Sequence, residues 1–196
     1  MSPGPTFERV YLELKRQLRE GTRPPGTPLE PTAIGDELGT SFTPVRDALH
    51  RLVGEGLVDT PRHNGFAVPH PTDQALRDLY AWSGEIVGLI AARKSAPLLG
   101  EDDASVAEQT EALFLALVDA SGNREHKKAV AQLNERLAPF RRAEPALLPD
   151  LAEELAALRA VASNSPRADL VRSVARYHKR RVALVPQLLA TMPRDK

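Results

Sequence analysis

Apolar residues recur at three- and four-residue intervals through most of this chain, and the interruptions in that rhythm divide it into elements. Phe7, Val10, Tyr11, Leu14 and Leu18 form one stripe, which predicts a helix over Thr6–Glu20. Ile34 and Leu38 predict a two-turn helix over Thr32–Leu38, in which Gly35 is small enough for a close helix crossing, and Gly39 after it is free to take the positive φ of a tight turn. A third helix is expected to begin with Thr43 as its cap and with Pro44 where a missing N–H costs nothing. Val45, Ala48, Leu49, Leu52 and Val53 make its packing face, while Arg46, Asp47, His50 and Arg51 fall away from it. Beyond Gly54 and Gly56, Leu57-Val58 and Phe66-Ala67-Val68 flank Pro61-Arg62-His63-Asn64-Gly65, which predicts two wing strands around a turn carrying a cation. The proline-rich segment GTRPPGTPLEP links the first helix to the second and has room for one short strand. This order of elements is that of a winged helix-turn-helix.

After Pro69-His70-Pro71, the expected hinge, no strand alternation recurs. Helical stripes predict elements over Asp73–Lys94, about Asp102–Ala120, Arg124–Arg142, Leu148–Ala162 and Pro166–Leu189, with Asn123 capping the third of these. Pro139 and Pro186 are expected to kink or shorten their helices. Short connections between amphipathic helices imply an antiparallel arrangement. The expected fold is therefore mainly α, with an N-terminal winged helix-turn-helix domain over 1–70 and an all-α antiparallel helical bundle over 71–196.

Composition removes several function classes. The chain has 196 residues, 42% of them hydrophobic, and no cysteine, which excludes disulfides, thiolate metal sites and cysteine nucleophiles and suits a reducing cytoplasm. No apolar run approaches the ~20 residues that span a bilayer, and the N-terminus shows no signal core, so a soluble cytoplasmic chain without a membrane partner is expected. There is no phosphate loop and no histidine with a recognisable catalytic partner set, so no enzyme activity and no cofactor are expected. Charge is balanced at 26 Lys plus Arg against 26 Asp plus Glu, and residues 1–71 hold eight of the former and nine of the latter. Any affinity for DNA must come from where the cations sit: Arg46 and Arg51 on the outer helix face, Arg62 and His63 in the wing, and Lys15, Arg16, Arg19 and Arg23 near the first helix.

On these residues the N-terminal third resembles the DNA-binding domain of the GntR family of bacterial transcription regulators. The family pattern reads G-x-L-x-P-G-x-x-L, then L-A-x-x-L-G-V-S-R-T-P-V-R-E-A-L, then E-G-L-V and a G-x-x-V wing. Gly21, Pro25, Gly26 and Leu29 match its start, Leu38-Gly39-Thr40-Ser41-Phe42-Thr43-Pro44-Val45-Arg46-Asp47-Ala48-Leu49 its centre, and Glu55-Gly56-Leu57-Val58 and Gly65-Phe66-Ala67-Val68 its end. The resemblance implies a homodimeric regulator, a repressor, on a double-stranded operator with an inverted repeat. The candidate DNA contacts are Ser41, Phe42, Thr43, Arg46, His50, Arg51, Arg62, His63 and Gly65. Phe42 replaces an arginine that in the family helps contact the operator. Two roles are open to it, contact with a thymine methyl or packing within the chain, and the reading leans to packing.

The helical half resembles the FCD effector domain of the FadR-like subfamily in its short form. The resemblance rests on Leu79-Tyr80 to Ala91-Ala92, on Ala120-Ser121-Gly122-Asn123, and on Arg167-Ala168-Asp169 to Tyr177-His178. Many FCD domains hold a divalent metal with one aspartate and three histidines. Here Thr110 falls at the aspartate, Phe114 at one histidine and Glu154 or Ala156 at another, leaving His178, so no metal is expected. His178 shares a helix face with Val171, Val174, Val182 and Val185, where a hydrogen-bonded core role is favoured, and Lys179-Arg180-Arg181 reads as a solvated edge. Ser83 and Val87 stand where relatives place charges facing the cavity. The expected effector is therefore hydrophobic or weakly charged and bound without metal, its pocket lined by Trp82, Ser83, Val87, Phe114, Val174 and His178; for Phe114 and Val87 plain core packing is an equal alternative. The alternatives to this function are a winged helix turned into a protein-interaction module and a metal-dependent carboxylate sensor.

Overall fold

A computed structural model describes residues 4–61, 65–91 and 104–192. The chain divides into two compact units, one built on the residues up to His70 and the other on Pro71–Thr191. The first contains α1 (Pro5–Glu20), α2 (Pro31–Leu38) and α3 (Phe42–Gly54). The second contains α4 (Asp73–Ala91), α5 (Val106–Asp119), α6 (Arg124–Ala143), a 3₁₀ turn at Glu144–Ala146, α7 (Leu151–Asn164) and α8 (Arg167–Thr191). The expected end of α4 at Lys94 and the expected start of α5 at Asp102 lie outside the described residues.

The core of the first unit is the stripe read from the sequence. Val10, Leu14 and Leu18 of α1 pack on Val45, Ala48, Leu49 and Leu52 of α3, with Ile34 of α2 and Leu29, Leu57, Val58 and Val68 closing the cluster. Gly39 ends α2 in the left-handed region at φ 61°, as its position after Leu38 predicts. Gly35 has a role other than helix crossing: a Cβ there would lie 2.9 Å from the Thr40 carbonyl oxygen of the same turn. The Thr40 N–H donates to the Gly35 carbonyl at 2.9 Å, which draws those two backbones together.

Two local expectations are corrected. Helix α3 starts at Phe42 with Ser41, not Thr43, at the cap position, and Ser41 makes no side-chain capping bond. Pro44 is tolerated inside the first turn because the N–H groups there have no intrahelical acceptor. The two wing strands reduce to isolated bridges, Pro28 with Ala67 and Asp59 with Ala67. Pro28 has no N–H to extend a ladder, yet paired 2.9 Å bonds between Asp59 and Ala67, with 2.8–2.9 Å bonds linking Gly26, Thr27 and Leu29 to Phe66 and Val68, still fix the wing base.

In the second unit α4 runs against α8, and α5, α6 and α7 complete the bundle. Its core joins Val87 and Ile90 of α4 to Leu113, Phe114 and Leu117 of α5, Val130 of α6, Leu155 and Leu158 of α7, and Leu170, Val174 and Tyr177 of α8. Pro139 and Pro186 both sit inside helices that continue past them. Leu137, Ala138, Phe140 and Arg141 are buried around the first, and Val185 and Leu188 around the second, so packing on both sides outweighs a local cost of about 3 kcal/mol. Helix α7 begins at Leu151 rather than Leu148, since Pro149 disfavours helical backbone before it. Asn123 caps α6 as expected, accepting from the Glu125 and His126 N–H groups.

Replacing Gly35 by Ala should destabilise the first unit by about 1–3 kcal/mol, because backbone must give way. Gly54→Ala, at a helical position with nothing within 4 Å of the new Cβ, should be neutral or stabilising by up to about 1 kcal/mol. Chemical unfolding of the two variants beside the parent chain distinguishes these directions.

Candidate nucleic-acid interface

Packing α3 on α1 leaves one helix face outside. Ser41, Phe42, Thr43, Arg46, Asp47, His50 and Arg51 are all exposed, opposite the fully buried Val45, Ala48 and Leu49. Phe42 is 45% exposed, so the expectation that it packs within the chain is corrected. One helical turn later the Arg46 guanidinium lies 6.0 Å from its ring centroid, close enough for the cation to be drawn toward the π face. Among the described residues no carboxylate pairs with Arg46.

The other cations of this unit behave differently. Arg51 lies 3.8 Å from the Tyr11 ring centroid, bonds Glu55 at 3.2 Å and stands 3.7 Å from Glu8, so its side chain is turned to α1. Lys15 bonds Glu55 at 3.2 Å, and Tyr11 donates its hydroxyl proton to the same carboxylate. Partial burial and the Glu55 bond raise the Tyr11 pKa. Arg23 bonds Glu37 at 2.6 Å, Arg16 bonds Glu13 and Glu20, and Arg9 donates to the Leu38 carbonyl at 3.0 Å. Of the basic residues expected around α1, Lys15 thus ties α1 to α3 and Arg23 reaches α2, whereas Arg16 pairs within α1 itself. His50 meets the Phe66 ring edge-on at 5.0 Å, which ties α3 to the wing base. Gly65, at φ 140°, is exposed at the end of the wing turn, whereas Arg62 and His63 lie outside the described residues.

The six residues expected around an effector do not behave as one set. Val87, Phe114 and Val174 are fully buried and belong to the bundle core, while Trp82 is 43% exposed. His178 is buried between them: its Nδ1 donates to the Val174 carbonyl at 2.8 Å, and its Nε2 accepts from the Ser83 hydroxyl at 3.1 Å. Burial pushes its pKa down to about 3, with Arg141 and Arg181 acting in the same direction and the Val174 carbonyl opposing. Gly84 admits this ring, since a Cβ there would stand 3.0 Å from His178 Cβ and Cγ. Among the described residues no three His, Cys, Asp or Glu side chains are grouped to hold a metal. His126 is half-buried.

Several polar core residues were not singled out by pattern. Arg181, expected on a solvated edge, is 1% exposed and bonds Glu144 at 3.0 Å and Glu154 at 2.6 Å, with Tyr177 beneath its guanidinium at 3.5 Å. Tyr80 donates to Glu144 at 3.2 Å, and burial raises the pKa of Tyr177 to about 12. The signal was present, because Arg181 lies three residues from His178 and four from Val185 on the apolar face. A cavity of about 200 Å³ lies beside this network, among Val106, Thr110, Arg141, Glu144, Leu151 and Tyr177. None of the six expected effector residues lines it.

Residues 6–68 match the model of the family described as "Bacterial regulatory proteins, gntR family". The HTH-type transcriptional regulator McbR of Escherichia coli (strain K12) is 31% identical over 147 residues, which are 75% of this chain and 65% of that protein. The uncharacterized HTH-type transcriptional regulator YdhC of Bacillus subtilis (strain 168) is 30% identical over 78 residues, 40% of this chain and 35% of that protein. The chain therefore spans between about a third and two thirds of the length of these curated relatives. The structure of E. coli McbR/YncC matches with a TM-score of 0.69 at 21% identity over 94% of this chain and 99% of that one. A putative transcriptional regulator GntR from Rhodococcus sp. RHA1 matches with a TM-score of 0.74 at 16% identity over 92% and 97%. At those identities the two structures establish a shared fold, in both the N-terminal unit and the bundle.

The buried His178 has a consequence for pH dependence. Between about pH 6.5 and pH 3 the unfolded chain binds a proton at this ring that the folded chain does not, so stability falls as pH is lowered through that window. Urea unfolding at pH 7 and pH 5 should show His178→Gln losing less stability than the parent, by on the order of 1–2 kcal/mol.

Proposed function

We propose that this chain, which carries a GntR-family DNA-binding domain at residues 6–68, is a sequence-specific transcriptional regulator that acts as a homodimeric repressor on a short inverted repeat. GntR-family transcriptional regulators are DNA-binding, and the relatives are regulators rather than enzymes. The observation that carries the reading is the outer face of α3, where Arg46 is exposed and unpaired beside the exposed Phe42 while Arg51 is turned to α1.

The α3 N-terminus enters the major groove, where Ser41 and Thr43 meet phosphate or base acceptors with the first-turn N–H groups beside them. Arg46 reads a guanine edge, and Phe42 offers its ring to a thymine methyl. The wing, with Arg62, His63 and Gly65, follows the backbone or minor groove. His50 holds that wing to α3 through Phe66 and contributes to DNA from its exposed edge. A single module of this size buries too little DNA for strong operator specificity, which is why two copies act together. Residues 71–196 are assigned to dimerisation and effector sensing, as an FCD-type domain of the FadR-like subfamily. No helix among the described residues is long and apolar enough to cross a membrane, and a regulator of this kind works in the cytoplasm.

In vitro selection of duplex DNA by the purified chain, followed by fluorescence anisotropy over a salt series, tests the reading. An enriched inverted repeat, bound with strong salt dependence by two copies, is expected. Arg46→Ala should lower affinity for that repeat roughly tenfold or more, whereas Arg51→Ala should mainly lower thermal stability. Absence of any enriched sequence, or unchanged affinity in Arg46→Ala with strong loss in Arg51→Ala, overturns the assignment.

A further inference from the structure

Phe42 and Arg46 lie one turn apart on the outer face of α3, and neither belongs to the core of the first unit. The Phe42 ring is 45% exposed, although Val45, Ala48 and Leu49 of the same helix are fully buried. Phenylalanine is an indifferent helix former, so the start of α3 does not call for it either. Arg46 is exposed as well, and its guanidinium lies over the Phe42 ring, 6.0 Å from the centroid. A ring face attracts the cation without taking up its N–H groups, whereas a carboxylate would occupy them in a bidentate pair. Phe42 therefore steers the arginine and leaves its fork free.

In a major groove these two groups have different partners. The fork of an arginine matches O6 and N7 of guanine. A phenyl ring has no donor or acceptor, and the apolar group on a base edge there is the C5-methyl of thymine. Stacked base pairs are ~3.4 Å apart along the duplex. A ring and a cation held 6.0 Å apart are thus spaced for neighbouring base pairs rather than for separate parts of a site. Cytosine has only hydrogen at C5 and gives the ring nothing to touch, but 5-methylcytosine presents the same methyl group as thymine.

We propose that Phe42 and Arg46 form one reading unit for a 5-methylpyrimidine beside a guanine, accepting thymine or 5-methylcytosine and discriminating against uracil and cytosine. Phe42 is then a specificity-determining residue, and C5 methylation of a cytosine at this position of the operator raises the affinity of the chain. The inference deepens the reading of α3 as the recognition helix and rests on it.

The test is in vitro selection by the full chain from three random-sequence duplex libraries, made with thymine, with uracil replacing thymine, and with 5-methylcytosine replacing cytosine. The first should enrich a half-site with thymine beside a guanine. The second should keep the guanine and lose the preference next to it, and the third should accept either methylated pyrimidine there. By fluorescence anisotropy on duplexes altered at that one position, uracil should bind roughly threefold to fivefold more weakly than thymine per half-site, and cytosine more weakly than 5-methylcytosine by the same factor. Phe42→Ala, folded by circular dichroism, should bind thymine and uracil duplexes alike while keeping the guanine preference, which Arg46→Ala should lose. Equal affinity of the parent chain for thymine and uracil duplexes at every position overturns the proposal, as does a thymine preference that survives in Phe42→Ala. A Phe42→Ala chain that loses the guanine preference together with the methyl preference also overturns it, since the ring then acts on the helix as a whole. No enriched sequence from any library overturns the reading of α3 itself, whereas an enriched repeat indifferent to the methyl group removes this inference alone.

Discussion

Burial of one face of α3 against α1 is the constraint on which the N-terminal unit depends. Val45, Ala48, Leu49 and Leu52 are fully buried, and the valine and the two leucines are each worth about 1.5–3 kcal/mol on leaving water. Fixing that face fixes the opposite one, and so decides which polar residues meet solvent. The ring and charge cluster of Tyr11, Lys15, Arg51 and Glu55 then sets the orientation of the same helix pair from the side. A neutral domain acquires a directed cation in this way: carboxylates absorb many of its basic groups in helix-to-helix contacts and leave Arg46 outside them.

The bundle solves a different problem. Its core combines an aliphatic cluster with buried arginine, glutamate, histidine and tyrosine side chains that need partners in a low-dielectric interior. Arg181, Glu144, Glu154 and Tyr80 form one connected set of ion pairs and hydrogen bonds, and His178 with Ser83 and the Val174 carbonyl forms another. Both ring nitrogens of His178 are occupied by protein groups in its neutral form, so the histidine acts as a crosslink between α4 and α8. The matching is incomplete among the described residues: Arg141 Nε and Nη2, Glu154 Oε2 and Arg159 Nε are buried without a hydrogen-bond partner.

What the sequence determined by itself is the set of elements and their inner faces. Three- and four-residue periodicity located α1, α2, α3 and the bundle helices, and the Leu38-to-Leu49 motif with its glycine turn was enough to identify a helix-turn-helix, since these features are local and their physics acts within a few residues. Local rules misplaced Thr43 as the cap and overstated the wing strands, and they expected Pro139 and Pro186 to kink or shorten helices that continue past both, where buried neighbours on either side hold the helix. The tertiary structure alone decided which cations are free, as Arg46 and Arg51 sit five residues apart on one helix and are told apart only by Tyr11, Glu8 and Glu55. It decided equally that Trp82 lies outside while Arg141 lies inside. Burial of a charge is settled by partners brought from other helices, and no spacing along one helix encodes where those partners arrive.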